Sequence, residues 1–261
     1  SKKTTRICPP ILGGVDRNQP RGDGSRSRFG DLGIWIRSRD LTAADGRAVE
    51  EFGFSTLWVG GSPAGDLAAV ERVLENTLSL VVATGVCNMW KTSPTELSRS
   101  YHRLADRFPG RFVLGVGVGH AEQVGEMYER PYESLMRYLD VLDGCGVPAS
   151  DRVIAALGDR MLRVSAERSL GAHTYLVPSK HTLHARHLVG IDAEIAPCTK
   201  VVFGDSIEVA TEEAAKAIAD PYLGLVNYRN SLLRLGYSGE EIQHPRSIVA
   251  DLVAMPTPGA V

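Results

Sequence analysis

The sequence predicts an α/β fold, a barrel of parallel strands wrapped by helices, and three observations carry that expectation. From Asp31 onward, short apolar segments alternate with longer amphipathic ones, a rhythm that implies a parallel sheet covered by helices. Seven such units fit before residue 204, which favours a closed barrel over an open doubly wound sheet; periodicity alone does not separate the two. A chain of 261 residues suits one large core of this kind.

The elements follow in order. Leu32–Ile36 reads as a strand, and 41–52 as a helix with Leu41, Ala44, Ala48 and Phe52 on one face. Thr56–Gly60 is the second strand, followed by a helix near 66–76. The run LSLVVATGV (78–86), rich in β-branched residues and closed by Gly85, has the character of a buried parallel strand. Pro94 opens the next helix at a favoured first-turn position. Phe112–Val118, Val153–Leu157, Thr174–Val177 and Lys200–Phe203 are strands four to seven, with helices near 131–142, 159–170, 180–189 and 206–219. No eighth strand stands out after Phe203, and 221–237 reads as helix and loop.

Composition narrows the function. Apolar residues at 43% and charged residues at 23% are ordinary for a globular chain, and a net charge of −2 gives no reason to expect a nucleic-acid or anionic-membrane partner. No apolar run approaches a membrane span or a signal peptide. Cys8, Cys87, Cys145 and Cys198 lack paired spacing, so reduced thiols and a cytoplasmic location are expected. Residues 1–29 differ from the rest: seven Lys or Arg face only Asp16 and Asp23, with Pro9, Pro10, Pro20 and four glycines. The expectation is a basic, poorly ordered arm over 1–29 and a single barrel domain over 30–261.

In such barrels the chemistry gathers at the C-terminal ends of the strands. Strand three runs into Gly85-Val86-Cys87-Asn88-Met89-Trp90, and strand four ends Gly115-Val116-Gly117-Val118-Gly119-His120. Bare backbone there lets a flat ring approach, although tight strand packing explains the glycines equally well. They are not a dinucleotide fingerprint, because the spacing is wrong and they close a fourth strand. Gly158-Asp159-Arg160 opens a helix whose amides suit a phosphate, or is simply a helix-start charge pair. His181, His184 and His187 drift around a helix without a carboxylate cluster, so no metal site is expected. Nucleophile-elbow, Walker and zinc-protease motifs are all missing.

Six segments in this order resemble the luciferase-like monooxygenase superfamily, specifically its F420-dependent oxidoreductase subgroup of actinobacterial type. They are LWVGGSPAGDL (57–67), LVVATGVCNMW (80–90), PGRFVLGVGVGH (109–120), VIAALGDRML (153–162), GAHTYLVPSKHT (171–182) and PYLGLVNYRNSLLRLGY (221–237). The resemblance implies a TIM-barrel-like (β/α)8 fold of the bacterial luciferase type holding a flavin-type ring. It assigns Gly85, Val86 and Asn88 to one ring face, with a non-prolyl cis peptide at Gly85–Val86. Gly117, Val118, Gly119 and His120 would lie near the ring, and Gly158, Asp159 and Arg160 near its ribityl phosphate. Met89 and Trp90 are expected to wall the substrate pocket.

Three departures accompany it: Gly61-Ser62 where many relatives carry an acid, His173-Thr174 where His-Pro is usual, and an end at MPTPGAV. The subgroup normally continues with a further helix and a closing strand, so a barrel shortened at its last β/α unit is expected. The implied activity is hydride transfer between coenzyme F420 (alternatively FMN) and a small organic substrate, with His120 as the catalytic proton donor or acceptor. A homodimer is the expected assembly. The alternative is a non-catalytic, degenerate barrel acting as a flavin-binding or interaction protein.

Overall fold

The computed structural model describes residues 6–8 and 27–256. A three-residue strand, β1 (Arg6–Cys8), precedes the repeating units. These run β2 (Gly33–Arg37), α1 (Ala43–Glu51), β3 (Thr56–Gly60), α2 (Ala68–Glu75), β4 (Val81–Gly85), a two-residue β5 (Cys87–Asn88) and α3 (Pro94–Arg107). Next come β6 (Phe112–Gly117), α4 (Ala121–Val124), α5 (Pro131–Gly144), β7 (Arg152–Ala155), α6 (Asp159–Arg168), β8 (Gly171–Tyr175), α7 (Ser179–Val189) and β9 (Glu194–Cys198). The chain ends with β10 (Lys200–Val201), α8 (Ile207–Ile218), a π-helical turn (Ala219–Leu223), α9 (Val226–Arg234), α10 (Gly239–Gln243), α11 (Val249–Leu252) and β11 (Val253–Ala254).

The sheet order is β1-β2-β3-β4-β6-β7-β8-β9. From β2 to β9 every pairing is parallel, so the seven-unit α/β frame predicted from sequence is present. Local chemistry sets the boundaries. Ser93 caps α3, its hydroxyl accepting from the Glu96 amide at 3.2 Å, and Pro94 follows in the first turn. Leu97, Tyr101 and Leu104 then form the buried stripe of α3, while all five residues of β3 are buried. Fully buried leucines such as Leu57, Leu97 and Leu139 each stabilise the fold by about 1.5–3 kcal/mol.

Two expectations are corrected. The seventh strand is Glu194–Cys198, not Lys200–Phe203. Its charge at Glu194 and its proline at Pro197 disguised it; on this last strand of the sheet the missing Pro197 N–H disrupts no second ladder. Beyond it, β10 pairs in parallel with β11, and the Val202 amide bonds the Ala254 carbonyl at 2.9 Å. A short strand thus does follow in the region where sequence showed none. At the other edge β1 pairs antiparallel with β2 and also lies against β9 and β10. The basic arm otherwise lies outside the described residues, up to Ser27.

Ser27 to Phe29 strap the N-terminal end of the barrel. The Ser27 hydroxyl and the Arg28 amide both donate to Glu194, at 3.0 and 2.8 Å, and the Arg28 guanidinium pairs with Asp151. Phe29 enters the interior against Trp58, whose neighbours there include Ala83, Val113 and Val153. The interior is therefore filled at its lower end among the described residues. A separate apolar cluster, including Leu176, Ile218, Leu223, Tyr228, Leu232 and Ile248, holds the α8–α11 lobe against the end of β8. That packing places α9 beside the strand C-termini. No helix among the described residues is long and apolar enough to cross a membrane.

Candidate active site

A cavity of about 520 Å³ opens where the C-terminal ends of the strands meet the α8–α11 lobe, within the range of small-molecule sites (roughly 300–1,000 Å³). The loop after β4 forms one wall. Its Gly85–Val86 peptide is cis, as the resemblance implies. Asn88 is buried, and its Oδ1 accepts from the Trp90 amide at 2.9 Å, an Asx turn that sets the side chain toward Gly119. Gly119 has φ +64°, and a β-carbon there would stand 2.5 Å from Asn88 Nδ2, so only glycine allows this approach.

His120 follows directly and is held by a residue from far along the chain. Asn227 Nδ2 lies 3.2 Å from the Gly119 carbonyl and 3.3 Å from His120 Nδ1. A carbonyl can only accept, so the Asn227 nitrogen is the donor and His120 Nδ1 an acceptor. Burial pushes the imidazole below the ordinary histidine range, with Glu122 acting in the opposite sense. At neutral pH the ring is accordingly uncharged, with its proton on Nε2. Tyr228 lies against it at 5.3 Å and makes edge-to-face contacts with Tyr175 and Tyr222.

The floor is a second histidine. His173 is buried on β8 and stacks on Trp58 at 4.2 Å with rings 9° apart. Its Nδ1 donates to the Ala196 carbonyl at 3.0 Å, which leaves Nε2 as an acceptor. Burial pushes its pKa down to about 4, against the opposing effect of that hydrogen bond. Trp35 closes the floor, its indole donating to the Gly85 carbonyl at 2.8 Å. Gly85 is closely packed here: a β-carbon would sit 3.0 Å from Trp35 Nε1 and 3.3 Å from His173 Nε2, so both rings would have to give by a few tenths of an ångström.

The opposite end is cationic. Gly158 caps the ten-residue α6, whose first amides have no intrahelical acceptor. Arg160 lies 3.3 Å over the Tyr132 ring, and Arg234 Nη2 would be 3.5 Å from a β-carbon at Gly158.

The structure brings Gly85, Val86, Asn88, Val118, Gly119, His120, Gly158 and Arg160 onto the cavity wall. Four expected residues lie elsewhere. Met89 is buried in the main apolar core. Trp90 turns its indole N–H to the Val118 carbonyl at 2.8 Å and packs on Tyr128, so it braces the wall from behind. Asp159 is exposed and bonds His184 at 2.9 Å. Gly117 faces Val86 and Ala155, where a β-carbon would meet both within 2.9 Å; like Gly115 against the Thr84 carbonyl, it serves close packing. His181 turns to the Leu157 carbonyl, so the three histidines of α7 do not converge.

Sequence reasoning missed Trp35, Arg37, His173, Asn227, Tyr228 and Arg234. Trp35 and Arg37 could have been found from alternation, since both point to one face of β2. Asn227 and Arg234 carried no local signal.

Residues 42–146 match the family described as luciferase-like monooxygenase. Among solved structures, an F420-dependent secondary alcohol dehydrogenase in complex with an F420-acetone adduct aligns with a TM-score of 0.64 at 12% identity, covering 86% of this chain and 85% of that one. A coenzyme F420-dependent tetrahydromethanopterin reductase from Methanopyrus kandleri aligns with a TM-score of 0.59 at 12% identity, covering 90% and 94%. The oxygenating constituent of 3,6-diketocamphane monooxygenase from Pseudomonas putida, in complex with FMN, reaches 0.50 at 12% identity, covering 68% and 65%. No curated protein matches the sequence significantly. At these identities the likeness to the solved structures is one of fold, and the family match is confined to residues 42–146, which are similar to a luciferase-like monooxygenase domain.

Proposed function

We propose that the protein is a two-electron oxidoreductase that uses coenzyme F420, with FMN as the second choice, on a small organic substrate. The observation that carries this reading is the order of features along one cavity. The Gly85–Asn88 wall and His120 follow the adjacent strands β4 and β6, and α6 with Arg160, joined by Arg234, follows β7 at the cationic end. The residues fit a flat ring bearing a phosphate, because Gly85, Gly119 and Gly158 put bare backbone on the cavity wall and Arg160 and Arg234 stand at the start of α6. The F420-binding neighbours favour the deazaflavin. When bound, such a ring supplies the carbon that accepts or releases hydride.

The chain's own residues do the rest. Val86 and Asn88 bear on a ring face, while Arg160, Arg234 and the α6 amides hold a phosphate. Tyr222 and Tyr228 exclude water from above. Neutral His120 keeps its proton at Nε2 and donates a hydrogen bond from it to a substrate oxygen that gains negative charge, an arrangement that needs no imidazolium. His173 Nε2 accepts a hydrogen bond from an N–H or O–H presented to the floor.

Titration of the purified protein with F420 and with FMN, followed by fluorescence, tests the reading. Saturable binding that weakens at least tenfold in an Arg160→Gln, Arg234→Gln double variant is expected; no binding of either cofactor would refute it. Cofactor binding without hydride transfer to any carbonyl or alcohol in a broad panel would favour the non-catalytic alternative.

A further inference from the structure

The cavity wall includes three arginines, Arg37, Arg160 and Arg234, and no aspartate or glutamate. Two of them stand at the α6 end, where a cofactor phosphate belongs. Arg37 does not. It is the last residue of β2, and the order β2-β3-β4-β6-β7 sets it four strand spacings from β7, roughly 19 Å along the curved sheet. A phosphate at α6 leaves Arg37 unanswered on the far wall. Among the described residues Arg37 has no ion pair and no side-chain hydrogen bond, although it is half-buried. A guanidinium in that position has lost part of its hydration without gaining a counter-charge.

Its surroundings are shaped to keep it accessible. Gly61, with φ +76°, borders its stem: a β-carbon there would reach Cβ and Cγ of Arg37 at 3.7 Å. Ser62, at φ +55°, continues the same left-handed turn and also lines the cavity. Two residues earlier on the same face, Trp35 is locked by its bond to the Gly85 carbonyl, about 7 Å nearer the floor. The pair offers a flat apolar surface and, above it, one planar fork of N–H donors. That fork matches a carboxylate in two parallel hydrogen bonds.

We infer that Arg37 is the specificity residue for the substrate, and that the substrate is an unsaturated or aromatic carboxylic acid whose carboxylate Arg37 binds while its apolar part lies over Trp35. This deepens the proposed oxidoreductase reading and rests on it for the word substrate; the anion site itself does not depend on which cofactor binds.

The test uses 2-naphthoate and its neutral isostere 2-naphthamide, titrated calorimetrically into the full chain with and without saturating FMN. Naphthoate should bind at least tenfold more tightly than naphthamide. Arg37→Gln should erase that preference while leaving naphthamide affinity, which reports an intact cavity, within twofold. The affinities for FMN and F420 should also stay within twofold. Equal binding of acid and amide by the wild type would overturn the inference. So would a preference that survives Arg37→Gln, or one that vanishes instead in the Arg160→Gln, Arg234→Gln variant. Loss of F420 affinity but not FMN affinity in Arg37→Gln would assign Arg37 to the acidic tail of F420, and that too overturns it. An Arg37-dependent preference in a chain that binds neither cofactor would retain the anion site and remove the oxidoreductase reading.

Discussion

Replacing His173 by phenylalanine should make the protein less stable at neutral pH and remove part of its sensitivity to acid. Phenylalanine keeps the ring stacked on Trp58 but cannot donate to Ala196. The Ala196 carbonyl keeps its place in the β8–β9 ladder, so the lost bond costs only about 0.5–1.5 kcal/mol, which sets the deficit at pH 7. The acid side follows from linkage. His173 titrates at about 4 in the folded protein against an ordinary 6.5, so as pH falls the unfolded chain takes up the proton first. Stability from the neutral ring is complete above 6.5 and is lost as pH falls toward 4. By pH 4.5 the wild type has given up about 2.5 kcal/mol through this one residue, and the variant nothing. The gap between them should close or reverse between pH 7 and pH 4.5. Urea unfolding of both proteins at the two pH values measures it, because other titrating groups act equally in each. A gap independent of pH would show that His173 titrates alike in both states, and the buried, neutral floor would be wrong.

Three further outcomes are expected. Glu50→Gln should cost about 2 kcal/mol at pH 7, because Glu50 accepts from the amides of Leu78, Ser79 and Leu80. Burial opposes the charge, but these bonds outweigh it and take its pKa down to about 2, so the deficit should shrink as pH falls below 4.5, as urea midpoints at pH 7 and pH 3 will show. Asp143→Ala should destabilise more than Arg152→Met, by thermal melting, since Arg152 is 1% exposed and would remain as a buried charge missing its partner. Gly119→Ala should weaken FMN and F420 binding at least tenfold by displacing Asn88, whereas Gly110→Ala, in open space at φ +74°, should cost about 1 kcal/mol and leave affinity unchanged.

What was legible in the sequence is what burial alone encodes. The β3 segment TLWVG was read to its exact ends because all five residues are buried and turns bound them. His120 and Arg160 could be placed at the mouth because each follows a strand end. The state of each group was not legible, because it depends on a partner from elsewhere in the chain. Nothing near His120 announces Asn227, 107 residues later, yet that amide decides which ring nitrogen carries the proton. Nothing near His173 distinguishes it from a surface histidine except that Ala196 and Trp58 fold around it.

The glycines of β6 and of the turn that follows it show the same limit from the other side. In sequence Gly115, Gly117 and Gly119 are one motif with two explanations, ring access and packing. In the fold they separate: Gly115 meets a neighbouring carbonyl, Gly117 the Val86 side chain, and only Gly119 the cavity. Alternation cannot sort them, since Gly115 and Gly117 share one face of the strand and Gly119 lies past its end at φ +64°. The deciding variable is height along the barrel axis, because the lower levels of the interior are filled by Phe29, Trp58 and their neighbours. A residue at the first two levels can serve only packing; chemistry becomes available above the layer of Trp35 and His173.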